Sequence, residues 1–316
     1  MNGPRNSASP IPPRAFFIVG VGRSGTSLMP ALLDDHPELL VLPGESRARS
    51  WYRAPNPVEM LYAKTIYGRD FPTSTGEKNT FDRFLRSRLP GPVELDEALR
   101  ILVEGVSRLR PAPKATAWVE KTPKHLRNVA QLFARFGPTT RVIRVLRDPR
   151  STYASRAKRW GHSGRADIRS FARRWACDDA LANRFESQPW FQTIRYEDLI
   201  EESEATMRRV AAHLDISFDD SLLHPTRQGN SVGANSSFGS TGQGISRAPL
   251  RRYRDQLDHA DVAHLEALLG ARMFKHGYLD ARGAAWRRVV NESTVAAFLF
   301  EERRKQRSWR RKVGAR

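Results

Sequence analysis

The sequence predicts an α/β fold in three layers, with a central, mainly parallel sheet of about five strands flanked by helices. Two observations carry it. Short apolar, β-branched segments alternate along the chain with stretches of helical periodicity, which is the pattern of a parallel sheet covered on both faces. The first of these segments runs straight into a glycine-rich turn and then a helix, an arrangement that gathers backbone N–H groups around an anion. Length agrees, because 316 residues, 40% of them apolar, suffice for one large core.

In chain order, residues 1–14 are rich in Pro, Ser and Asn and are expected to form a flexible leader. Ala15–Gly20 reads as the first strand, Leu28–Leu33 as the first helix and Leu39–Leu42 as the second strand. Arg47–Pro113 breaks the rhythm: its first half is irregular, with several Pro and aromatic residues, and its second half is helical over Val93–Leu109. Ala117–Val119, Arg141–Leu146 and Trp190–Arg195 read as the remaining strands. Asp148 is placed to cap, and Pro149 to start, a helix over Ser151–Trp160. Met207–Leu214 and Asp261–His276 are amphipathic; Val262, Leu265, Leu268, Leu269 and Met273 recur at helical spacing and Gly277 supplies the stop. Gln228–Pro249, rich in Gly, Ser and Asn, is too polar to pack by itself and is expected as a mobile lid. The main domain is expected over 15–280, followed by a helical extension with a basic tail over 281–316.

The formal charge is +19, from 53 Lys+Arg against 34 Asp+Glu, which points to an anionic partner. Eight of the basic residues fall between Arg303 and Arg316, a stretch with no acid, so much of the excess is a tail suited to an anionic surface or to solvent. Only nine of the 53 are Lys, so a general preference for Arg explains the remaining charge as readily as a ligand does. Mean hydropathy is -0.56, and runs such as Val295–Phe300 fall far short of the ~20 residues of a spanning helix. With no cationic segment leading into a long apolar stretch at the start, a cytoplasmic protein without a transmembrane segment is expected. The single cysteine, Cys177, excludes an internal disulfide framework and a multi-cysteine zinc site. The eight histidines lack metal-ligand spacing, so no metal is expected, and no G-x-S-x-G elbow suggests a hydrolase.

After the first strand comes Gly20-Val21-Gly22-Arg23-Ser24-Gly25-Thr26-Ser27. Against the nucleotide-binding pattern G-x-x-x-x-G-K-[ST], Gly20, Gly25 and Ser27 fit, but Thr26 replaces the lysine that reaches the β- and γ-phosphates of ATP or GTP. The nearest cation is Arg23, inside the loop, which suits a different phosphate group. The fourth strand ends in Arg147-Asp148-Pro149-Arg150, and Ser155 and Arg159 follow on one face of the next helix. By itself this second block reads more readily as a capped basic helix. Together with the loop it offers two phosphate-binding elements about 120 residues apart.

The pair of blocks resembles the two phosphosulfate-binding elements of the sulfotransferase family. The resemblance runs from about Phe16 to Tyr278 and is closest in look to the soluble bacterial members and the tyrosylprotein sulfotransferase branch. It implies a P-loop-like α/β fold, 3′-phosphoadenosine 5′-phosphosulfate (PAPS) as donor and a hydroxyl-bearing acceptor. By resemblance, Gly22, Arg23 and the amides from Ser24 through Gly25 and Thr26 to Ser27 hold the 5′-phosphosulfate, while Arg147, Ser155 and Arg159 hold the 3′-phosphate. Tyr196, in Arg195-Tyr196-Glu197-Asp198-Leu199, lies near the nucleotide, and Ser246 and Arg247 belong to a loop over the donor. Glu45, in Gly44-Glu45-Ser46-Arg47, stands where such enzymes carry a catalytic glutamate, and Lys121, in Glu120-Lys121-Thr122-Pro123, where a lysine contacts the reacting phosphosulfate. Glu45 is therefore expected as general base beyond the end of a strand, with Lys121 and Arg23 offsetting charge. Glu38, Glu120 and an unrecognised base such as His125 are competitors; Glu120 reads as a partner of its neighbour Lys121. Two other functions fit parts of the sequence: a P-loop kinase of a small metabolite, and a nucleic-acid or anionic-surface binding protein acting through its tail, where Trp309 interrupts the charges.

Overall fold

The computed structural model describes residues 11–67, 71–161, 163–231, 250, 253–280 and 300. Five strands, β1 (Arg14–Gly20), β2 (Leu39–Val41), β3 (Ala117–Lys121), β4 (Arg141–Leu146) and β5 (Phe191–Arg195), form a sheet in the order β2-β3-β1-β4-β5. All four pairings are parallel, so the loops leaving the strands gather along one edge. The helices, in chain order, are α1 (Leu28–Leu33), α2 (Pro57–Lys64), α3 (Thr75–Arg88), α4 (Leu95–Leu109), α5 (Val129–Phe136), α6 (Pro149–Trp160), α7 (Arg165–Ala182), α8 (Tyr196–Glu201), α9 (Ser203–Leu214), α10 (Tyr253–Gln256) and α11 (His259–Lys275). Among the described residues, no helix is long and apolar enough to cross a membrane.

Both faces of the sheet are covered, which is why β1 and β2 read as near-continuous apolar runs. Along β1, Phe16 and Ile18 pack with Met29 and Leu32 of α1 and Met207 and Val210 of α9. Ala15, Phe17 and Val19 point the other way, into a core with Leu99 and Leu102 of α4 and Leu132 of α5. There the ring of Trp118 meets Phe17 edge-on, with centroids 5.4 Å apart. In α4 the buried residues Leu95, Leu99, Leu102 and Val106 recur every three or four positions and lay one apolar stripe against that core.

Several boundaries differ from the sequence reading, each for a local reason. β3 runs two residues further, through Glu120 and Lys121, because Lys121 still pairs in register with Ile18 of β1. β1 begins at Arg14, whose guanidinium bonds the carbonyls of Leu214 and Asp215 and the Thr116 hydroxyl. The segment expected as irregular contains α2 and α3; α3 is set by a capping box between Ser74 and Glu77 and buries only Phe81 and Leu85, too few for a clear apolar period. A two-strand hairpin, β6 (Thr226–Arg227) and β7 (Asn230–Ser231), opens the expected lid, and Asp34 holds it by accepting from Thr226 Oγ1 and Gly229 N. Residues 232–249 and the basic tail lie outside the described residues.

On the far side of β4, Asp179 is fully buried and accepts from Arg144 at 2.7 Å, Arg272 at 3.1 Å and His276 at 2.7 Å. These bonds tie α7 and the end of α11 to β4. Cys177 lies in the same buried layer, and burial pushes its thiol up to about 11, which removes it as a nucleophile.

Candidate active site

The turn after β1 has two positions that only glycine can fill. A Cβ on Gly20 would lie 2.6 Å from the Val145 carbonyl, and one on Gly25, at a φ of 90°, would lie 2.1 Å from the ring of Tyr196. Ser24 anchors the loop by donating from its hydroxyl to the same Val145 carbonyl, at 3.0 Å. Its amide, expected to face a donor, is instead bonded to Val21 O within the loop. Thr26 is buried where nucleotide kinases place their lysine. An ammonium reaches the loop from the next strand instead: Lys121 Nζ lies 3.4 Å from Ser27 Oγ.

The second element is built at the end of β4. Asp148 caps α6 by accepting from Arg150 N, and Pro149 begins the helix. Arg150 pairs with Asp148 and with Glu266 of α11, both at 2.6 Å, which fixes the start of α6. This block meets the loop. Arg23 Nε donates to Ser155 Oγ at 3.1 Å, and Arg147 donates to the Arg23 carbonyl at 3.3 Å. The Arg147 guanidinium lies 4.5 Å over the ring of Tyr196, which also packs on Gly25. Burial pushes Arg23 below the ordinary arginine value, and the charges of Arg147 and Arg159 push it further. Burial likewise lowers Arg147, outweighing the attraction of Glu197 and Asp148. Such a cluster favours the entry of an anion. Gly22, Arg23, Arg147, Ser155, Arg159 and Tyr196 all line one cavity of about 990 Å³.

Glu45, just beyond β2, lines the same cavity. One carboxylate oxygen is 3.1 Å from Lys121 Nζ and the other 2.9 Å from Arg47 Nε. Burial works against the charge on Glu45, but Lys121 and Arg47 outweigh it and hold the carboxyl below the ordinary glutamate range. Glu38 sits at the start of β2, at the opposite edge of the sheet, accepting from Ser217 N and Oγ. Glu120 is fully buried, and its partners are not Lys121 but Ser46, Thr122 and His125. Neighbours on a strand face opposite sides, so the carboxylate and the ammonium diverge.

Sequence reasoning missed several cations of the cavity wall, among them Arg47, Arg49, Lys64, Lys124, Arg156 and Arg174. Only Arg47 had a local signal, two residues from Glu45 on the same turn. Ser246 and Arg247 lie outside the described residues.

Comparison with known proteins agrees with this architecture. The sulfotransferase family model matches residues 13–220. Protein-tyrosine sulfotransferase A of Caenorhabditis elegans is 28% identical over 222 residues, covering 66% of this chain and 52% of that protein, so the chain spans about half the length of this curated relative. Among solved structures, the sulfotransferase domain of the curacin biosynthetic pathway superposes with a TM-score of 0.51 at 17% identity, over 80% of this chain and 95% of that one. The sulfotransferase domain of the Synechococcus PCC 7002 olefin synthase gives 0.50 at 16% identity, over 80% and 93%. The last two likenesses are of fold.

Proposed function

The chain belongs to the sulfotransferase family, and on that premise we propose that it moves a sulfuryl group from PAPS to a hydroxyl of its acceptor, with Glu45 as general base. The observation that carries this reading is the joined arginine cluster: Arg23 and Arg147, with Ser155 bonded to Arg23 and Arg159 close by, in one cavity. PAPS carries its 3′-phosphate and its 5′-phosphosulfate on one ribose, which suits two elements brought into contact.

Arg23 and the amides of Gly25, Thr26 and Ser27 hold the phosphosulfate end. Arg147, Ser155 and Arg159 hold the 3′-phosphate, and Tyr196 keeps the loop against Arg147. When bound, PAPS supplies the sulfuryl group and departs as 3′-phosphoadenosine 5′-phosphate (PAP). Lys121 offsets the negative charge that develops on the bridging oxygen, and Arg23 that on the sulfonate oxygens. Glu45 takes the proton of the acceptor hydroxyl. Its pairing with Lys121 keeps it ionised, and as the ammonium turns to the donor the carboxylate loses a counter-charge and gains basicity. The kinase reading is not favoured, since the position of the phosphate-binding lysine is filled by buried Thr26.

Calorimetry with PAP, ADP and AMP tests the donor site. PAP is expected to bind tightest; equal affinity for AMP would remove the second phosphate element. For the base, Glu45→Gln keeps the shape of the side chain but not its proton affinity. PAP binding should persist, while turnover in an acceptor screen with labelled PAPS and mass detection of the adduct should fall by about 10²–10⁴-fold. Full turnover in that variant would put the base elsewhere.

A further inference from the structure

We propose that Glu120 is a positioning residue, whose buried carboxylate sets the contact between Glu45 and Lys121 by fixing both chain segments that carry them. The inference rests on Glu45 being the general base. A fully buried carboxylate is unfavourable unless its oxygens are satisfied, and those of Glu120 are satisfied mainly by the flanks of the two reacting side chains. Oε1 accepts from Ser46 Oγ at 2.6 Å, Ser46 N at 3.2 Å and Thr122 Oγ1 at 2.6 Å. Ser46 directly follows Glu45, and Thr122 directly follows Lys121. A second link closes the loop, because Thr122 Oγ1 also accepts from Arg47 N at 3.1 Å.

The other side of Glu45 is boxed as well. Gly44 has a φ of 81°, and a Cβ there would lie 2.7 Å from Ile66. The 3.1 Å separation of Glu45 and Lys121 therefore lies between two segments anchored through one carboxylate. Oε2 of Glu120 faces His125 Nδ1 at 2.8 Å, which makes that nitrogen the donor. His125 Nε2 is buried with no hydrogen-bond partner among the described residues, so the hydrogen bond that orients the ring there is the one to Glu120. Burial opposes the charge on Glu120, but His125 and the hydrogen bonds of Ser46 and Thr122 outweigh it and hold the carboxyl below the ordinary glutamate range. A neutral amide does not substitute for it: glutamine has one acceptor oxygen, so either the three donors on Oε1 or the His125 N–H would meet an NH₂ group.

The test is the titration midpoint of Glu45, followed by carbon NMR on the full chain with labelled glutamate carboxyls and assigned by its disappearance in Glu45→Gln. No acceptor is needed. Lys121 and Arg47 are the charges that face Glu45, and Lys121→Met gives the midpoint with the ammonium removed. Glu120→Gln is expected to raise the midpoint toward that of Lys121→Met while affinity for PAP stays at the parent value. Should Glu120→Gln not fold, Thr122→Val cuts two of the links in a milder way and is expected to raise the midpoint in the same direction. An unchanged midpoint in either folded variant overturns the proposal, because a residue needed only for folding would not control the charge environment of Glu45. Failure of the parent to bind PAP would refute the donor assignment, and leaves the midpoint comparison readable on its own.

Discussion

Replacing Arg147 by methionine separates donor binding from folding. Arg147 is 5% exposed, lies over the Tyr196 ring and donates to the Arg23 carbonyl. Methionine keeps much of the apolar stem that packs on the ring and removes the charge. In the empty protein two effects oppose each other. A hydrogen bond worth about 0.5–1.5 kcal/mol is lost. Against it, the burial of the Arg147 cation and its repulsion of Arg23 are relieved; the first holds Arg147 itself, and the second helps to hold Arg23, below the ordinary arginine value. The unfolding free energy of the empty protein should therefore stay within about 1 kcal/mol of the parent. Binding has no such offset. The phosphate loses a charge-assisted contact worth about 1.5–3 kcal/mol, so the Kd for PAP should rise about 10- to 150-fold. Calorimetry with PAP at fixed ionic strength, alongside urea unfolding of both empty proteins, measures the two quantities. Parent-like PAP affinity would refute the assignment of Arg147 to the donor. A large loss of empty-protein stability would show instead that Arg147 is a strut between the loop and α6.

Two further changes probe other links of the argument. Gly25→Ala sets a methyl 2.1 Å from the Tyr196 ring at a φ of 90°, so the loop or the tyrosine must move; backbone strain and overpacking should cost about 1–3 kcal/mol each and weaken PAP binding. Gly22→Ala, with no atom within 4 Å of the added carbon, should leave thermal stability unchanged, and equal melting of the two variants would sink the packing argument. His213 is held neutral by burial, which pushes its imidazole from 6.5 down to about 4. The unfolded chain therefore takes up this proton first as pH falls, and stability is lost from about pH 6.5 to about pH 4, by about 3 kcal/mol in all. In His213→Gln this acid limb should be shallower in urea unfolding across the same range; parallel profiles would refute the assignment.

The elements with strong local signals were legible in the sequence. β1 is a near-continuous apolar run and β4 one interrupted by buried Arg144, and each leads into a motif with its own cap or glycine turn, so strand, turn and helix were placed together. What the sequence hid is relational. Glu120 and Lys121 are neighbours and read as partners, yet strand alternation sends them to opposite sides, and the carboxylate finds Ser46, which is 74 positions away. The hydrogen bond from Arg23 to Ser155 spans 132 positions, and neither local pattern encodes it. Lys121, outside the loop motif, supplies an ammonium there because β3 pairs with β1 in a register that brings Lys121 beside Ile18. α2 and α3 were read as irregular because they bury few side chains; α3 is held by its capping box and by α4, and α2 by α3 and the turn at residues 48–50.

The long excursion between β2 and β3 supplies one wall of the cavity by itself. The chain leaves the sheet just before Glu45 and rejoins it at Ala117, and the strands on either side are direct neighbours. The residues of the proposed donor site after β1, β4 and β5 lie outside this excursion, whereas Arg47, Arg49 and Lys64 bring it to the cavity wall. A chimera that exchanges residues 48–113 for the corresponding stretch of another sulfotransferase should therefore alter acceptor choice and leave nucleotide affinity alone. The graft has to retain the apolar stripe of Leu99, Leu102 and Val106, which covers one face of the sheet. Within that constraint, natural variation is free to lengthen, shorten or recharge one wall of the cavity without disturbing the other.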